Sequence, residues 1–480
     1  MTGSSSGLRC SLASGELFVT TALIATMSAV VALLLGYPVG LWLASVRRGR
    51  KLATSVLLLP FLLPAFLIGL AFRPVFGPWL DDSRVGIAAV VCAHALMNAG
   101  FIAVVTAASL VPRDQVEAAL LDGASAGQTR RFIEIPQQLP ALSAAALLVA
   151  LYSATSFGLV ISLGQGAINT LETGIATAAL QLLDLPTAAL LAGLQSLLTL
   201  GFFLISRRLG ATPTVLFGDV EPVARRFVPG MVVGGVVIAA VVWLVAGVVQ
   251  RAISAGPGLW GNIVNLAGRG SRDILNLSVI DALGNSLRNT LVAVAISLAF
   301  AWWLSAKRVG LAVLAPIGIS PVVIGLGALV LSGYLPSAIS GSWLLLPLVQ
   351  SIFLTPLAFH IIAPARRSLS RDLVDAACLD GANSGQLFTH VELPTLQRPL
   401  IAAAALVSLG SLGEFGAATF LAYGSDQTLP LVMFRLMSRP GSENVGMAMV
   451  AATLFIALAV AVVWLISSVG RHPDRVRADG

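Results

Sequence analysis

The sequence predicts an all-α integral membrane protein of about eleven transmembrane helices (10–12), arranged as two parallel homologous bundles, and three observations predict it. First, 57% of the 480 residues are hydrophobic and 11% charged, with mean hydropathy +0.91, whereas a soluble domain carries roughly 25% charged residues. Second, the apolar residues gather into runs of about 20 or more, long enough as helices to cross a hydrocarbon core about 30 Å thick. Third, one segment of the chain occurs twice in register.

In chain order, residues 1–16 are polar, and the first apolar run is too long for the core of a cleaved signal peptide, so it reads as a retained anchor. Apolar runs between charged or Pro/Gly-rich breaks place spans near 17–46, 52–72, 85–111, 139–163 and 174–205, the first half being 17–206. A linker at 207–227 leads to a second half, 228–470, with spans near 228–249, 283–305, 309–334, 343–363, 396–421 and 444–467 and a tail at 471–480. If Arg47, Arg48, Arg50 and Lys51 face the cytoplasm, strict alternation puts 20 of the 29 Lys/Arg residues on that side, as the positive-inside rule requires. The N-terminus is then outside and the linker and tail are cytoplasmic. The net charge of +7 reports this topology rather than nucleic-acid binding. Cys10, Cys92 and Cys378 are isolated and match neither a disulfide framework nor a metal-ligand spacing.

The duplication carries the argument. Glu117–Pro136, EAALLDGASAGQTRRFIEIP, aligns without gaps with Asp375–Pro394, DAACLDGANSGQLFTHVELP, with 10 of 20 residues identical. The same offset of 258 pairs Arg113-Asp114 with Arg371-Asp372, Phe157-Gly158 with Phe415-Gly416, and Thr170-Leu171 with Thr428-Leu429. Five spans per repeat would invert the second copy; the extra span near 228–249 restores its orientation, so both copies face the cytoplasm. A parallel duplication predicts a pseudo-twofold axis along the membrane normal with a passage between the bundles.

Each copy reads as a helical knob. Glu117-Ala118-Ala119 and Asp375-Ala376-Ala377 open a short helix with an acid at its N-terminal end. Gly123 and Gly381, after Asp122 and Asp380, permit a turn or a close approach. Pro136 and Pro394 close the segment before the next span.

The pattern E/D-A-A, three residues, Gly, nine residues, I/V, one residue, I/L, Pro resembles the EAA loop of permeases in binding-protein-dependent ATP-binding-cassette importers. It is matched by Glu117, Gly123, Ile133, Ile135 and Pro136, and again by Asp375, Gly381, Val391, Leu393 and Pro394. The resemblance implies a type I importer permease with both halves fused, similar to the double-length permeases of thiamine and ferric-iron importers, in the cytoplasmic (inner) membrane of a prokaryote. It implies that 117–136 and 375–394 are coupling loops, each seated on one of two copies of an ATP-binding subunit, and that an extracytoplasmic binding protein delivers a small solute, thiamine or ferric iron first. The stretch 408–441 is similar to the periplasmic-side region of that group. Members of the group usually begin each half with an extra helix, which here precedes only the second half. The chain has no G-x-x-x-x-G-K-[ST] phosphate loop, so ATP and Mg act on the partner, and this chain is expected to bind no cofactor and to be no enzyme.

Polar groups inside spans are candidates for the translocation path. Glu414, with Ser156 at the repeat position, precedes Phe415 as Ser156 precedes Phe157; its carboxylate either meets a cationic cargo or caps a helix. Asn98 and His94, four apart on the third span, line a passage or bond a neighbouring helix. Glu172 and Asp184 are expected outside or in a scoop touching the binding protein. Pro60, Pro64, Pro316 and Pro321 interrupt the second span of each repeat as hinges or static kinks. Residues suited to catalysis or to metal binding do not converge. The alternative, an ion-gradient-driven secondary transporter, needs buried coupling carboxylates that the spans almost lack.

Overall fold

A computed structural model describes residues 3–46, 48–80, 82–164, 168–209, 228–307 and 319–469. The predicted linker beyond residue 209, the tail and Pro316 lie outside these residues. The chain forms two compact units, residues 1–254 and 255–480, and the described residues contain helices and no strand.

In the first unit α1 (Gly3–Ser45) is followed by α2 (Arg50–Leu62), α3 (Ala65–Phe76) and α4 (Ser83–Ala108). The short α5 (Arg113–Leu121) and α6 (Ala126–Thr129) lead through a π turn, Arg130–Glu134, into α7 (Ile135–Ala154). Then come α8 (Phe157–Gly164), α9 (Leu171–Ala176), α10 (Leu185–Arg208) and α11 (Val228–Ser254). In the second unit α12 (Gly258–Asn265) precedes α13 (Val279–Ser305), α14 (Pro321–Ser332), α15 (Ser337–Ser340) and α16 (Leu345–Arg367). Next, α17 (Arg371–Leu379), α18 (Ser384–Gln386) and a π turn, Leu387–Glu392, lead into α19 (Leu393–Leu412). The unit ends with α20 (Gly416–Leu421), α21 (Leu429–Met437) and α22 (Ser442–Val469). Nine described helices are long and apolar enough to span a bilayer; α2 and α3 form a further, bent pair, and α14 is a shorter apolar helix.

Several predicted spans are broken where a hydropathy window cannot see a change of direction. The span expected at 52–72 bends by 93° between α2 and α3. There Leu63 is extended (φ −79°, ψ 146°), because the ring of Pro64 excludes the helical region for the residue before it. Pro60, by contrast, sits inside α2, and Pro321 opens α14 behind the N-cap Ser320. The span expected at 139–163 divides into α7 and α8, where the Thr155 hydroxyl donates to the carbonyl of Leu151 at 3.1 Å as the helix ends. The spans expected at 174–205 and 396–421 break in the same way, after the π turn at 177–181 and at Gly413. At the start, α1 runs back to Gly3 through the polar N-terminal segment, since a helix nucleated in the apolar run propagates at little cost. The extra helix, assigned from chain order to the second half, belongs to the first compact unit: α11 packs on α1 and α2, with Gly234 against the Trp42 ring.

Each unit has a three-helix core. In the first, Ala25, Ala29 and Ala32 of α1 meet Phe101 and Ile102 of α4 and Ala145 and Val149 of α7. In the second, Ala293 of α13, Phe359 of α16, and Ala403 and Val407 of α19 form the corresponding cluster. Phe101, Ala145 and Val149 are matched at the repeat offset by Phe359, Ala403 and Val407. Small residues let α1 and α4 approach closely: a Cβ on Gly36 would lie 2.6 Å from the Ala99 carbonyl oxygen and one on Gly40 2.5 Å from that of Ala103. Gly40→Val is therefore expected to cost about 1–3 kcal/mol through overpacking, read as a lowered unfolding midpoint in detergent. Gly193→Val, on an exposed site of α10 where a Cβ meets nothing within 4 Å, is expected to leave the midpoint unchanged.

Candidate functional site

The duplicated segment folds twice into the same structure. In the first copy α5 begins after Pro112, four residues earlier than the sequence suggested, so Asp114 occupies the first turn and Glu117 lies mid-helix. There Glu117 accepts from Arg113 Nε at 2.6 Å, one turn back on an exposed face. The helix ends at Asp122, whose amide donates to the Ala118 carbonyl at 2.9 Å. Gly123 follows at φ +89°; its amide donates to Leu120 (3.1 Å) and that of Ala124 to Ala119 (3.0 Å). This Schellman closure places a left-handed residue just past the helix end, which glycine adopts without a Cβ penalty. Since a Cβ at Gly123 or Gly381 would meet nothing within 4 Å, the turn, rather than a close approach within this chain, explains both glycines.

The second copy repeats each feature. Asp372 stands in the first turn of α17, Asp380 donates to Ala376, Gly381 (φ +83°) to Cys378, and Ala382 to Ala377, each at 3.0 Å. Capping pairs then start α6 and α18: Ser125 with Gln128, and Asn383 with Gln386, each side chain bonding the other's backbone amide. Pro136 and Pro394 do not close the segment as expected. Each sits at the second position of a helix continuing from the loop, and the π turn before it takes up the missing N–H and the ring; Ile135 and Leu393 donate five residues back, to Arg130 and Phe388.

Beside charged residues such as Asp122, Arg131 and Asp380, these knobs expose large apolar side chains. Leu121 and Leu379, at equivalent positions ending α5 and α17, are 88% and 89% exposed. Phe132, Ile135, Phe388 and Leu393 are exposed beside them, and Ala118 and Ala376 are exposed while Ala119 packs inward. The two leucines lie within the predicted loops but were not singled out. Comparing the copies for large apolar residues at matched helix ends would have found them. Arg366, Trp302 and Glu392 were also missed. Arg366 Nε and Nη2 donate to Glu392 at 3.2 and 2.9 Å, while its guanidinium lies 4.5 Å from the Trp302 ring centroid. The signal available was an arginine where the first copy has Ala108.

The predicted translocation residues belong to both units: His94, Asn98, Ser156 and Phe157 to the first, Glu414 and Phe415 to the second. Asn98 is buried and donates to the His94 carbonyl of its own helix at 2.8 Å, and His94 Nδ1 lies 3.3 Å from the Ser28 hydroxyl of α1, so both are used in packing. Ser156 and Phe157 are buried at the α7–α8 break. Glu414 is buried at the α19–α20 break, where its two oxygens accept from Ala417 (2.7 Å) and Ala418 (3.0 Å), the free amides at the start of α20. Phe415 packs edge-on against Phe434 at 5.4 Å. Glu172, expected outside or in a scoop touching the binding protein, is buried in the first turn of α9. Asp184 is exposed before α10, and hydrogen bonds from the Thr187 hydroxyl and amide hold its carboxyl below the usual carboxylate range. Among the described residues no group of three His, Cys, Asp or Glu is placed to hold a metal ion.

A membrane protein with two homologous helical units and a helical knob repeated in each is a transporter permease by architecture. The family of binding-protein-dependent transport system inner membrane components matches residues 36–258 and 289–471, and the chain belongs to it, with the family region present twice. It is similar to the thiamine transport system permease protein of Brucella abortus, 27% identical over 476 residues, 90% of this chain and 84% of that protein. A probable molybdenum transporter permease of Haloferax volcanii is 30% identical over 220 residues, 42% of this chain and 79% of that protein. The sulfate transport system permease protein of Synechococcus elongatus is 30% identical over 189 residues, 36% of this chain and 66% of that protein. The chain is thus a fused permease of the ATP-binding-cassette importer class, a multi-pass membrane transport component rather than an enzyme.

Alanine at Gly381 must adopt φ near +83° or break the closure, at a cost of about 1–2 kcal/mol. The expected result of Gly381→Ala is faster amide hydrogen exchange at residues 381 and 382, with exchange in α16 and α19 unaltered.

Proposed function

We propose that the two knobs, 117–136 and 375–394, are the sites through which this permease is driven, each docking on one copy of a separate ATP-binding subunit that supplies all nucleotide chemistry. The observation that carries this reading is the pair of leucines at equivalent helix ends, nearly fully exposed on two loops whose backbone hydrogen bonding is the same. Exposed leucines on a rigid scaffold suit a groove in a partner, where their burial would contribute about 1.5–3 kcal/mol each. Closure of the ATP-binding subunits would pull the knobs together and turn the units between inward- and outward-open states, with cargo delivered by an extracytoplasmic binding protein. The compartment is then the cytoplasmic membrane of a prokaryote, with the knobs on its inner side.

For cargo we favour thiamine. Its support is similarity along 90% of the chain to a permease that is itself named for thiamine transport; ferric iron rests on the fused architecture alone. A strain lacking this chain is expected to lose uptake of labelled thiamine and regain it on complementation; loss of iron uptake with thiamine uptake intact would reverse the order.

Docking is tested by co-purification of the tagged chain with its ATP-binding subunit from detergent. Leu121→Asp with Leu379→Asp, or Gly123→Val with Gly381→Val, is expected to abolish association while the permease remains monodisperse. Association that survives both pairs of changes would return the knobs to architecture.

A further inference from the structure

The two loops are alike in backbone but not in how they are fastened to their own units. In the second unit Arg366, in the last turn of α16, reaches two other elements at once. Its Nε and Nη2 donate to Oε1 of Glu392 in the π turn, at 3.2 and 2.9 Å. Its Nη1 donates to the Trp302 carbonyl (3.3 Å) and the Ser305 hydroxyl (3.2 Å) in the last turn of α13. The guanidinium also stacks over the Trp302 ring at 4.5 Å, and that ring meets Phe388 of the π turn edge-on at 5.2 Å.

The side chains of Arg366 and Glu392 are only 21% and 13% exposed, so water screens this pair less than a surface pair. Trp302 supplies one of the carbonyls that a helix end leaves without an intrahelical partner, a favourable place for a cation. Four donated bonds plus a stacked ring use the planar fork of arginine, which lysine cannot reproduce. At the repeat positions the first unit has Ala108 for Arg366 and Ala44 for Trp302, and only the acid is kept, as Glu134. Alanine supplies neither a charge nor a ring.

We propose that Arg366 is a positioning residue that locks the second loop to the C-terminal ends of α13 and α16, so that this loop and its bundle move as one body while the first loop moves relative to its bundle. The proposal rests on the docking reading above and adds that the two docking loops are mechanically inequivalent.

The test uses the full chain in nanodiscs, with native cysteines replaced except where they carry a label, alone and with its ATP-binding subunit. Spin labels at positions 372 and 348 report the second loop against α16, and labels at 114 and 92 report the first loop against α4. In the wild-type chain the 372–348 distance distribution is expected to stay narrow and unchanged between nucleotide-free and vanadate-trapped complexes, and the 114–92 distribution to shift. Arg366→Ala is expected to keep ATP-binding-subunit association but to broaden the 372–348 distribution and make it nucleotide-dependent. Arg366→Lys and Glu392→Gln, milder changes that guard against misfolding, are expected to do the same to a smaller extent.

An unchanged 372–348 distribution in all three variants overturns the proposal, as does a wild-type distribution equally mobile in both loops. Loss of association in Arg366→Ala overturns it too, since the residue would then shape the docking face. If the wild-type chain binds no ATP-binding subunit, the docking reading fails instead, and the labels on the chain alone still decide whether Arg366 locks the loop.

Discussion

In hydrocarbon a backbone N–H or C=O without a partner costs several kcal/mol, and this constraint decides where the chain can leave a helix. At three helix ends among the described residues a side chain from another helix satisfies the freed backbone. Where α7 stops, Gln195 of α10 donates to the Ala154 carbonyl at 3.0 Å. Where α9 starts, Thr21 of α1 accepts the Leu171 amide at 2.9 Å; at the matching start of α21, Ser286 of α13 accepts the Leu429 amide at 2.8 Å. Leu171 and Leu429 are equivalent in the repeat, but Thr21 and Ser286 are not: Ser286 corresponds to Ser28, two turns further along α1. The need for an acceptor is common to both units, and each meets it from a different turn of the equivalent helix.

The same reasoning accounts for Glu414. A carboxylate is costly in such a place unless bonded, and the two amides of α20 that it accepts are donors that otherwise lack partners. The first unit carries Ser156 there, buried at the corresponding break. Nearby, Ser411 donates to Gln350 at 2.7 Å and accepts from Thr290 at 3.1 Å, whereas the repeat positions hold Ser153, Cys92 and Ala32. The second unit is therefore tied together by polar contacts at positions where the first relies on small residues.

Much of this was legible in the sequence, for physical reasons that also mark where legibility ends. The spans were visible because membrane insertion demands long apolar runs, and the repeat because the knob's caps and turn use residues with narrow conformational roles: Gly123 and Gly381 at positive φ, Gln128 and Gln386 in the capping pairs. Burial of Ala119 with exposure of Leu121 followed from helical periodicity but was not drawn. The breaks at Thr155 and Gly413 were hidden because hydropathy stays high on both sides of them. The role of Pro136 was misread because a π turn, which has no sequence signature of its own, lets a helix pass through a proline. Arg366 was counted as one more cytoplasmic charge, because its partners Trp302 and Glu392 lie 64 and 26 positions away and only the fold brings them together.

The divergence between the units bears on what the duplication retains. Core residues at matched positions are partly kept, as Phe101 and Phe359, and partly changed in size, as Val105 and Ala363, and the internal polar ties differ in kind. The knobs keep their outward shape instead: the same helix length, the same Schellman closure, the same capped restart and a leucine at the same end. A helix closure of this kind stabilises only its own turn and, at full exposure, contributes little to either bundle. Packing inside a unit therefore gives no reason for the two copies to agree in this detail while the polar ties of their units differ. The docking proposed above would, because a partner presenting the same groove twice would constrain both knobs to one shape and leave each bundle free to hold its knob in its own way.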